Sequence, residues 1–451
     1  MNGAVQLPLD LPELAIDASG GTLVRRTVLP SGVRVLTERV PGSQSATVGF
    51  WVAVGSRDEE PVTYGSTHFL EHLLFKGTAT RTALDIAVAF DSVGGEHNAL
   101  TAKEYTCYYA KVRDRDLEMA VRVLADMFAS SVLDAEEFEN ERGVILEELA
   151  MADDDPGDVA GERFFEAVFG EHPLGRPIGG NPESIGAVTR DAVWQHYRQN
   201  YRPRDLVITV AGAADHDRIV EVAVAALEEA GWDLGAAALP VARRDPAPGL
   251  VERGSPLALV ERPLEQVNLY LGMGGLAAAD DRRPALTVLN SVLGGGMSSR
   301  LFQEVREKRG LAYSVYSFAS SYSDAGVVGL YAGCSPKRAA DVAELMLAEF
   351  RRLAADGISD DELRRARGQL AGASALALED SDTRMSRLGR SELTLGEFAD
   401  LDETLRRIDD VAASDVRELA AELVERPLSV AAVGPVTPAA FAGLDGEPAA
   451  A

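Results

Sequence analysis

The sequence predicts an α+β fold made of two similar domains, each a mixed or antiparallel β-sheet packed with helices. Three observations lead to this prediction. Apolar runs typical of strands recur between segments with helical periodicity. The order of these segments in the first half is repeated in the second half. Residues 202–212 and 426–434 are similar closing units. Such a repeat indicates an internal duplication, although any two α+β domains can share an order of elements.

A segment rich in proline and glycine, residues 234–256, separates the two halves and is the predicted linker. The predicted domains are accordingly residues 22–233 and residues 257–440. Residues 1–21 are predicted to be a flexible N-terminal arm. Residues 441–451 are predicted to be a flexible tail.

Each element of the first half has a local signal. A turn signal at Pro30-Ser31-Gly32 predicts two strands over 24–40, and the apolar run 46–55 predicts a third. Periodicity and residue type predict the elements that follow. The expected helices are 63–77, 84–93, 117–128, 135–151, 159–169, 191–199 and 217–230, and the expected strands are 95–101, 105–112 and 206–212.

The second half gives the same kinds of signal in the same order. An apolar strand comes first, a strand pair follows a helix, and a last strand closes the half. The expected strands are 266–274, 313–318, 326–334 and 428–434, and the expected helices are 285–293, 339–353, 359–378, 395–406 and 414–424.

Composition excludes several classes of function. The 451 residues carry a formal net charge of −27, which argues against a nucleic-acid partner. Basic peptides would fit this charge, and solubility explains it equally well. Two cysteines form no disulfide framework and indicate a reducing compartment. There is no apolar run of about 18 residues and no signal-peptide pattern, so we expect a cytoplasmic protein without a membrane partner.

One helix carries the strongest chemical signal. His68 and His72 are four residues apart, so both imidazoles can face one ion, and Glu71 falls on the same side. A carboxylate beside two metal-binding imidazoles can act as general base toward water. The alternative is two unrelated histidines on a helix, in a chain that has six. Thr63 or Ser66 is expected to cap the start of this helix.

A catalytic zinc needs a third protein ligand, and the acidic segment 139–151 offers candidates. Glu141 and Glu148 are seven residues apart and share a helix face. Glu147 is turned about 100° away from Glu148. Spacing alone does not choose between Glu148 and Glu147, and a solvated acidic helix face is the plain alternative.

Residues 68–78 and 141–148 together resemble the pitrilysin (insulinase-like) zinc peptidases. The resemblance is closest to the β-subunit of mitochondrial processing peptidase and its bacterial relatives. It implies one Zn²⁺ per chain, held by His68, His72 and Glu148. The family spacings from His72 and from Glu141 both select Glu148. The resemblance also makes Glu71 the general base and Glu141 its helper.

Residues 94–101 resemble the edge strand on which this family binds extended substrates. Asn98 and Ala99 would contact the substrate backbone, whereas His97 is expected to be a surface residue of the strand and not a ligand. Asp158 and Glu162 match acidic positions that processing peptidases use to hold a basic residue near the cut. A solvated helix face explains that acidic pair equally well.

The glycine-rich loop 294–296 and the residues after it also resemble the family. Arg306 and Tyr313 match an arginine and a tyrosine that reach the substrate, where a cation and a phenol can stabilise an oxyanion. A salt-bridged arginine and a core tyrosine are the alternative. The family closes two such double-domain units like a clamshell around a chamber. The resemblance therefore implies a homodimer whose active sites are completed in trans.

Together these features predict a zinc metalloendopeptidase that hydrolyses extended peptides or unstructured protein segments. Two alternatives stay open. One is a non-catalytic scaffold or partner subunit of the same fold, and the other is an active subunit that requires a different partner chain.

Overall fold

The computed structural model describes residues 3–246 and 251–444 and divides them into two compact units. The first unit contains residues up to 149, 177–243 and 375–403. The second contains 150–176, 244–374 and the residues from 404 onward. Both units combine sheets with helices, so the predicted α+β class is confirmed.

The elements are numbered in chain order. The strands are β1 Val5–Gln6, β2 Glu13–Ala18, β3 Thr22–Val28, β4 Arg34–Arg39, β5 Ser45–Val52, β6 Glu96–Thr101, β7 Thr106–Arg113, β8 Val207–Gly212, β9 Leu257–Val260, β10 Val267–Gly274, β11 Ala312–Ser321, β12 Gly326–Cys334, β13 Glu397–Phe398 and β14 Ser429–Val433. The helices are α1 Ser66–Leu73, α2 Ala83–Asp91, α3 Leu117–Ser130, α4 Ala135–Asp154, α5 Pro156–Phe169, α6 Pro182–Ala187, α7 Arg190–Asn200, α8 His216–Glu229, α9 Arg283–Gly294, α10 Ala339–Asp356, α11 Asp360–Ala377, α12 Ser381–Arg390, α13 Leu401–Asp409 and α14 Ala413–Val424.

The first unit is built on a seven-stranded sheet in the order β2-β3-β4-β8-β5-β7-β6. Its pairs are antiparallel except β4 with β8. Strand β5 is buried from Ala46 to Val52 because side chains pack on both of its faces. Phe50 meets Phe128 of α3 on one face. Trp51 lies against Gly389 of α12 on the other, where an added Cβ would come within 2.6 Å of its ring.

The second unit repeats this plan with a five-stranded sheet, β11-β12-β10-β14-β9. Its order matches β6-β7-β5-β8-β4 of the first unit strand for strand. In each of these five-strand sets, the strand that comes last in the chain runs parallel to the one that comes first. These pairs are β14 with β9 and β8 with β4. Helix α5 covers one face of this sheet, with Phe164 stacked on Tyr270. This correspondence is what an internal duplication predicts.

Segment 375–403 belongs to the first unit, although it comes late in the chain. Two buried carboxylates hold it there. Glu38 of β4 pairs with Arg387 at 2.9 Å, and Glu392 pairs with Arg26 of β3 at 2.9 Å. Both carboxylates are fully buried, so each needs its charged partner.

The predicted domain limits differ from the two units. The prediction that residues 1–21 form a flexible arm is wrong, because β2 pairs with β3 in the sheet and β1 pairs with β13. The domain predicted over 22–233 loses 150–176 to the second unit. The domain predicted over 257–440 gives up 375–403 to the first.

Parts of the linker and of the tail lie outside the described residues, namely 247–250 and 445–451. In the described part of the linker, Val241 donates its N–H to the carbonyl of Arg204 at 3.0 Å. In the described part of the tail, Phe441 and Leu444 are buried. Across 3–246 and 251–444, no helix is both long and apolar enough to cross a lipid bilayer.

Candidate metal centre

Helix α1 presents its polar side because its apolar side is buried. Phe69, Leu70 and Leu73 are fully buried in the core of the first unit. His68 and His72 therefore point away from that core, on one helix face. Neither Thr63 nor Ser66 caps the helix. The N-cap position is Gly65, at a φ of 90°, and its side chain is only a hydrogen.

The structure brings the three predicted ligands together. Glu148 of α4 places its Oε2 3.4 Å from His68 Nε2 and 3.4 Å from His72 Nε2. The two Nε2 atoms are 3.2 Å apart. Across 3–246 and 251–444, this is the one group of histidine, cysteine and carboxylate side chains that could hold a metal ion. Glu147 is exposed and outside this group, whereas Glu148 lies within it.

These separations fit a zinc ion. In a tetrahedral site, bonds of about 2.0–2.2 Å place neighbouring donor atoms about 3.3–3.6 Å apart. The three observed edges of 3.2, 3.4 and 3.4 Å are close to that range. Two imidazole nitrogens and a carboxylate oxygen leave a fourth position open, as catalytic zinc sites do.

Glu141 orients the second histidine. Its Oε2 accepts a hydrogen bond from Nδ1 of His72 at 2.9 Å, which leaves the lone pair of Nε2 facing the other ligands. Its Oε1 pairs with Nζ of Lys76 at 2.6 Å. The carboxylate is only 3 % exposed and depends on both partners. Burial, together with the nearby His72, lowers the pKa of His68, which keeps that imidazole neutral and able to bind metal.

The proposed general base lies beside the edge of the sheet. Glu71 Oε2 accepts the backbone N–H of Thr101 at 3.0 Å. Strand β6 is the outermost strand of its sheet and, among the residues that the structure describes, pairs only with β7. The N–H of Ala99 points the same way and donates to the side-chain oxygen of Asn98 at 2.8 Å. The open edge of β6, which faces Glu71, therefore includes the backbone of both Ala99 and Thr101.

His97 is not the surface residue that the sequence predicted. It is half-buried, and its ring stacks on Phe90 with centroids 4.4 Å apart. Burial lowers the pKa of His97. This packing helps to hold the edge strand in place, and His97 lies outside the group of candidate metal ligands.

The remaining candidates lie in the second unit. The guanidinium of Arg306 stands 4.3 Å from the ring centroid of Tyr313 and donates to its carbonyl at 3.0 Å. Tyr313 is 77 % exposed, so it is not a core tyrosine. Asp158 and Glu162 are exposed and one turn apart on α5. Their roles, and those of Arg306 and Tyr313, stay predictions.

The comparisons with known proteins agree with this geometry. Residues 34–182 match the family model described as Insulinase (Peptidase family M16), and residues 187–370 match the one described as Peptidase M16 inactive domain. The chain belongs to peptidase family M16. The predicted family is thus confirmed.

Relatives of this M16 chain are named zinc proteases. An uncharacterized zinc protease of Streptomyces coelicolor is 49 % identical over 413 residues, which cover 92 % of this chain and 90 % of that one. An uncharacterized zinc protease of Bacillus subtilis is 39 % identical over 415 residues, or 92 % of this chain and 98 % of that one.

Solved structures show the same fold. A protease from Helicobacter pylori gives a TM-score of 0.82 at 24 % identity, covering 91 % of this chain and 99 % of that one. A structure described as the peptidase M16 inactive domain from Pseudomonas fluorescens also gives 0.82, at 20 % identity, covering 92 % and 98 %.

Sequence reasoning missed several residues of this M16 site. Lys76 pairs with Glu141, a contact that the sequence did not indicate. The backbone of Thr101 holds Glu71. A Cβ at Gly179 would lie 3.4 Å from Nδ1 of His68, so the chain passes close to that ring. Contacts made by the backbone, or between residues far apart in the chain, leave no pattern of residue types in the sequence, so they could not be predicted.

Proposed function

We propose that this M16 protein is a zinc metalloendopeptidase that hydrolyses extended peptides or unstructured protein segments. The observation that carries the proposal is the set of three donor atoms at zinc-like separations, with the Glu71 carboxylate next to an open sheet edge. Bound zinc would supply a Lewis acid and acidify a water molecule at this place.

The chain's own residues supply the proton transfers. Glu71 takes a proton from the attacking water and later gives it to the leaving amine. The N–H of Thr101 holds one oxygen of that carboxylate, so its direction is set before substrate arrives. Glu141 keeps His72 in the tautomer that offers Nε2 to the metal.

Strand β6 provides the binding surface for substrate. An extended peptide can pair with the outward N–H and C=O groups of Ala99, once the side chain of Asn98 releases that N–H. Recognition through the backbone tolerates many sequences and holds a peptide straight beside Glu71. We propose that Asn98 then contacts the substrate backbone itself.

Residues of the second unit complete the proposal. Arg306 and Tyr313 would stabilise the oxyanion, and Asp158 with Glu162 would hold a basic residue of the substrate. We propose that the chain acts as a homodimer and that each Arg306–Tyr313 pair serves the metal centre of the other copy.

Metal analysis and a peptide assay test the main proposal. We expect about one zinc per purified chain and cleavage of a quenched peptide that chelator abolishes and zinc restores. Glu71→Gln should bind zinc but lose about 10²–10⁴-fold in kcat, because it removes the base and keeps the ligands. Glu147→Gln, an exposed change on α4, is the control. Unchanged activity of Glu71→Gln contradicts the assignment of the base.

The rival function is a non-catalytic subunit. This alternative is supported by the match of residues 187–370 to a family model described as an inactive domain. All three candidate metal ligands, however, lie before that region. A purified chain that binds no zinc and cleaves no peptide would favour this rival. A chain that binds zinc and cleaves only after another protein is added would favour the heteromeric alternative.

Mixing two inactive variants tests completion in trans. Glu71→Gln and Arg306→Ala are each expected to be nearly inactive. If sites are shared between copies, re-equilibrated mixtures should regain about a quarter of wild-type activity, because half of the dimers carry one intact site. No regain, or an active monomer by sedimentation, contradicts the shared site.

A further inference from the structure

A short stretch joins the substrate edge to the start of the metal helix. This bridging segment, residues 55–59, lies against the turn between β6 and β7. Ser56 donates its N–H to the carbonyl of Ala102 at 3.1 Å, and Arg57 donates to the carbonyl of Lys103 at 3.0 Å. The bridging segment is thereby fixed to the hairpin whose first strand is the open edge.

Two further features keep this attachment close. A Cβ at Gly55 would lie 2.3 Å from the carbonyl oxygen of Ala102, so only glycine permits the approach. The guanidinium of Arg57 pairs with Glu104 at 2.5 Å, and their side chains are only 11 % and 7 % exposed. A pair held this far from water is less screened than a surface pair.

The bridging segment ends in Glu59, which holds the first turn of α1. Its Oε2 accepts the N–H of Gly65 at 2.9 Å, and its Oε1 accepts the N–H of Thr67 at 2.7 Å. Gly65 has no side chain that could cap the helix, and its φ of 90° favours glycine over other residues. A carboxylate near a helix N-terminus also interacts favourably with the positive end of the helix dipole. Glu59 is 5 % exposed, so its buried carboxylate needs hydrogen-bond donors such as these two.

These contacts close a ring. From Glu59 the ring runs through α1 to Glu71, whose carboxylate accepts the N–H of Thr101. From Thr101 it runs through the hairpin turn and the bridging segment back to Glu59. The metal helix is therefore tied to the edge strand at both of its ends.

We infer that Glu59 is a positioning residue of the peptidase site. It sets where α1, and with it His68 and His72, stands relative to the β6 edge. This inference rests on the proposed function, since it concerns the same metal site. A helix cap with no further role would affect folding stability alone, whereas a positioning residue also changes the geometry of the metal ligands.

Glu59→Gln tests the inference on the full-length protein. Glutamine keeps the shape but replaces one accepting oxygen with an NH₂ group that faces a backbone N–H. We expect zinc to bind about tenfold more weakly, at the low end of the effect of groups that orient metal ligands. We also expect a shifted visible spectrum of the Co²⁺-loaded protein and a larger loss in kcat than change in KM.

Asp205→Asn is the matched control. Asp205 is also 5 % exposed and lies in the first unit, and it accepts the backbone N–H of Arg202 at 3.1 Å. This variant should lose thermal stability and keep the zinc affinity and the Co²⁺ spectrum of the wild type.

The outcomes separate the two proposals. If Glu59→Gln loses thermal stability but keeps wild-type zinc affinity and Co²⁺ spectrum, the inference is wrong and Glu59 is only a cap. If the wild type binds neither Zn²⁺ nor Co²⁺, the proposed function fails as well. Should Glu59→Gln not fold, Glu59→Asp replaces it. Aspartate is one CH₂ shorter and reaches one donor, so we expect a smaller weakening, and an unchanged zinc affinity overturns the inference.

Discussion

Glu141→Gln should weaken zinc binding while leaving the three ligands in place. The carboxylate is 3 % exposed and bridges Nδ1 of His72, at 2.9 Å, and Nζ of Lys76, at 2.6 Å. A glutamine has one accepting oxygen and one NH₂ group, whereas both neighbours are donors. One of the two contacts is therefore lost in either orientation of the amide.

The structure indicates which contact survives. Lys76 is 34 % exposed and can turn to water, so the amide oxygen is expected to stay with His72. His72 then keeps its tautomer but loses the negative charge behind it, which makes its Nε2 a poorer donor to a cation. Changes to such supporting groups cost about 10–100-fold in metal affinity, or about 1.4–2.7 kcal/mol.

Competition with a chromophoric chelator at fixed pH measures this effect. Glu147→Gln makes the same chemical change on the same helix, at an exposed position outside the metal group, and should bind zinc like the wild type. Thermal unfolding of the metal-free proteins shows whether either variant is destabilised. If Glu141→Gln binds zinc within twofold of Glu147→Gln, our account of the His72 support is wrong.

Three further predictions follow from other parts of the structure. Ala99→Pro removes an outward N–H from the edge strand, and should raise KM about tenfold without changing zinc affinity, as steady-state kinetics and chelator competition would show. Burial lowers the pKa of His196 from 6.5 to about 4. As the pH falls from 6.5 to 4, the unfolded chain takes up a proton before the folded one does, and up to about 3 kcal/mol of stability is lost. Urea titrations should find this slope flattened in His196→Asn, and an unaltered slope would contradict the assignment. Glu392→Gln leaves buried arginines without a counter-charge and should cost about 3–5 kcal/mol, measured by urea unfolding. Asp380→Asn, in a half-exposed ion pair, should cost at most about 1 kcal/mol, and equal costs would refute this difference.

Local patterns predicted the metal helix and much of the fold. His68 and His72 share a face because of helix periodicity alone, so their approach follows from spacing. The choice of Glu148 over Glu147 needed either the family resemblance or the structure. Both residues are on α4, and only the packing of α4 decides which side faces α1.

Contacts between residues far apart in the chain were not predictable. Strand β2 lies at a sheet edge and buries only Ile16 of its six residues, and its pairing with β3, which makes it a strand, was not predicted. Helix α12 was not predicted, and its place against Trp51 depends on a packing partner more than 300 residues away. Glu59 caps a helix that begins seven residues later, a spacing that no capping rule covers.

The late arrival of segment 375–403 has a consequence for synthesis on the ribosome. Until that segment emerges, the sheet face around Trp51 stays uncovered, and Arg26 lacks Glu392. The first unit therefore remains incompletely folded while most of the carboxy-terminal half is translated. Incomplete sheets of this kind are prone to aggregation, so nascent chains of this protein should need protection during that interval. For the same reason, two fragments made by cutting once between the halves should recover the first unit only when both are present.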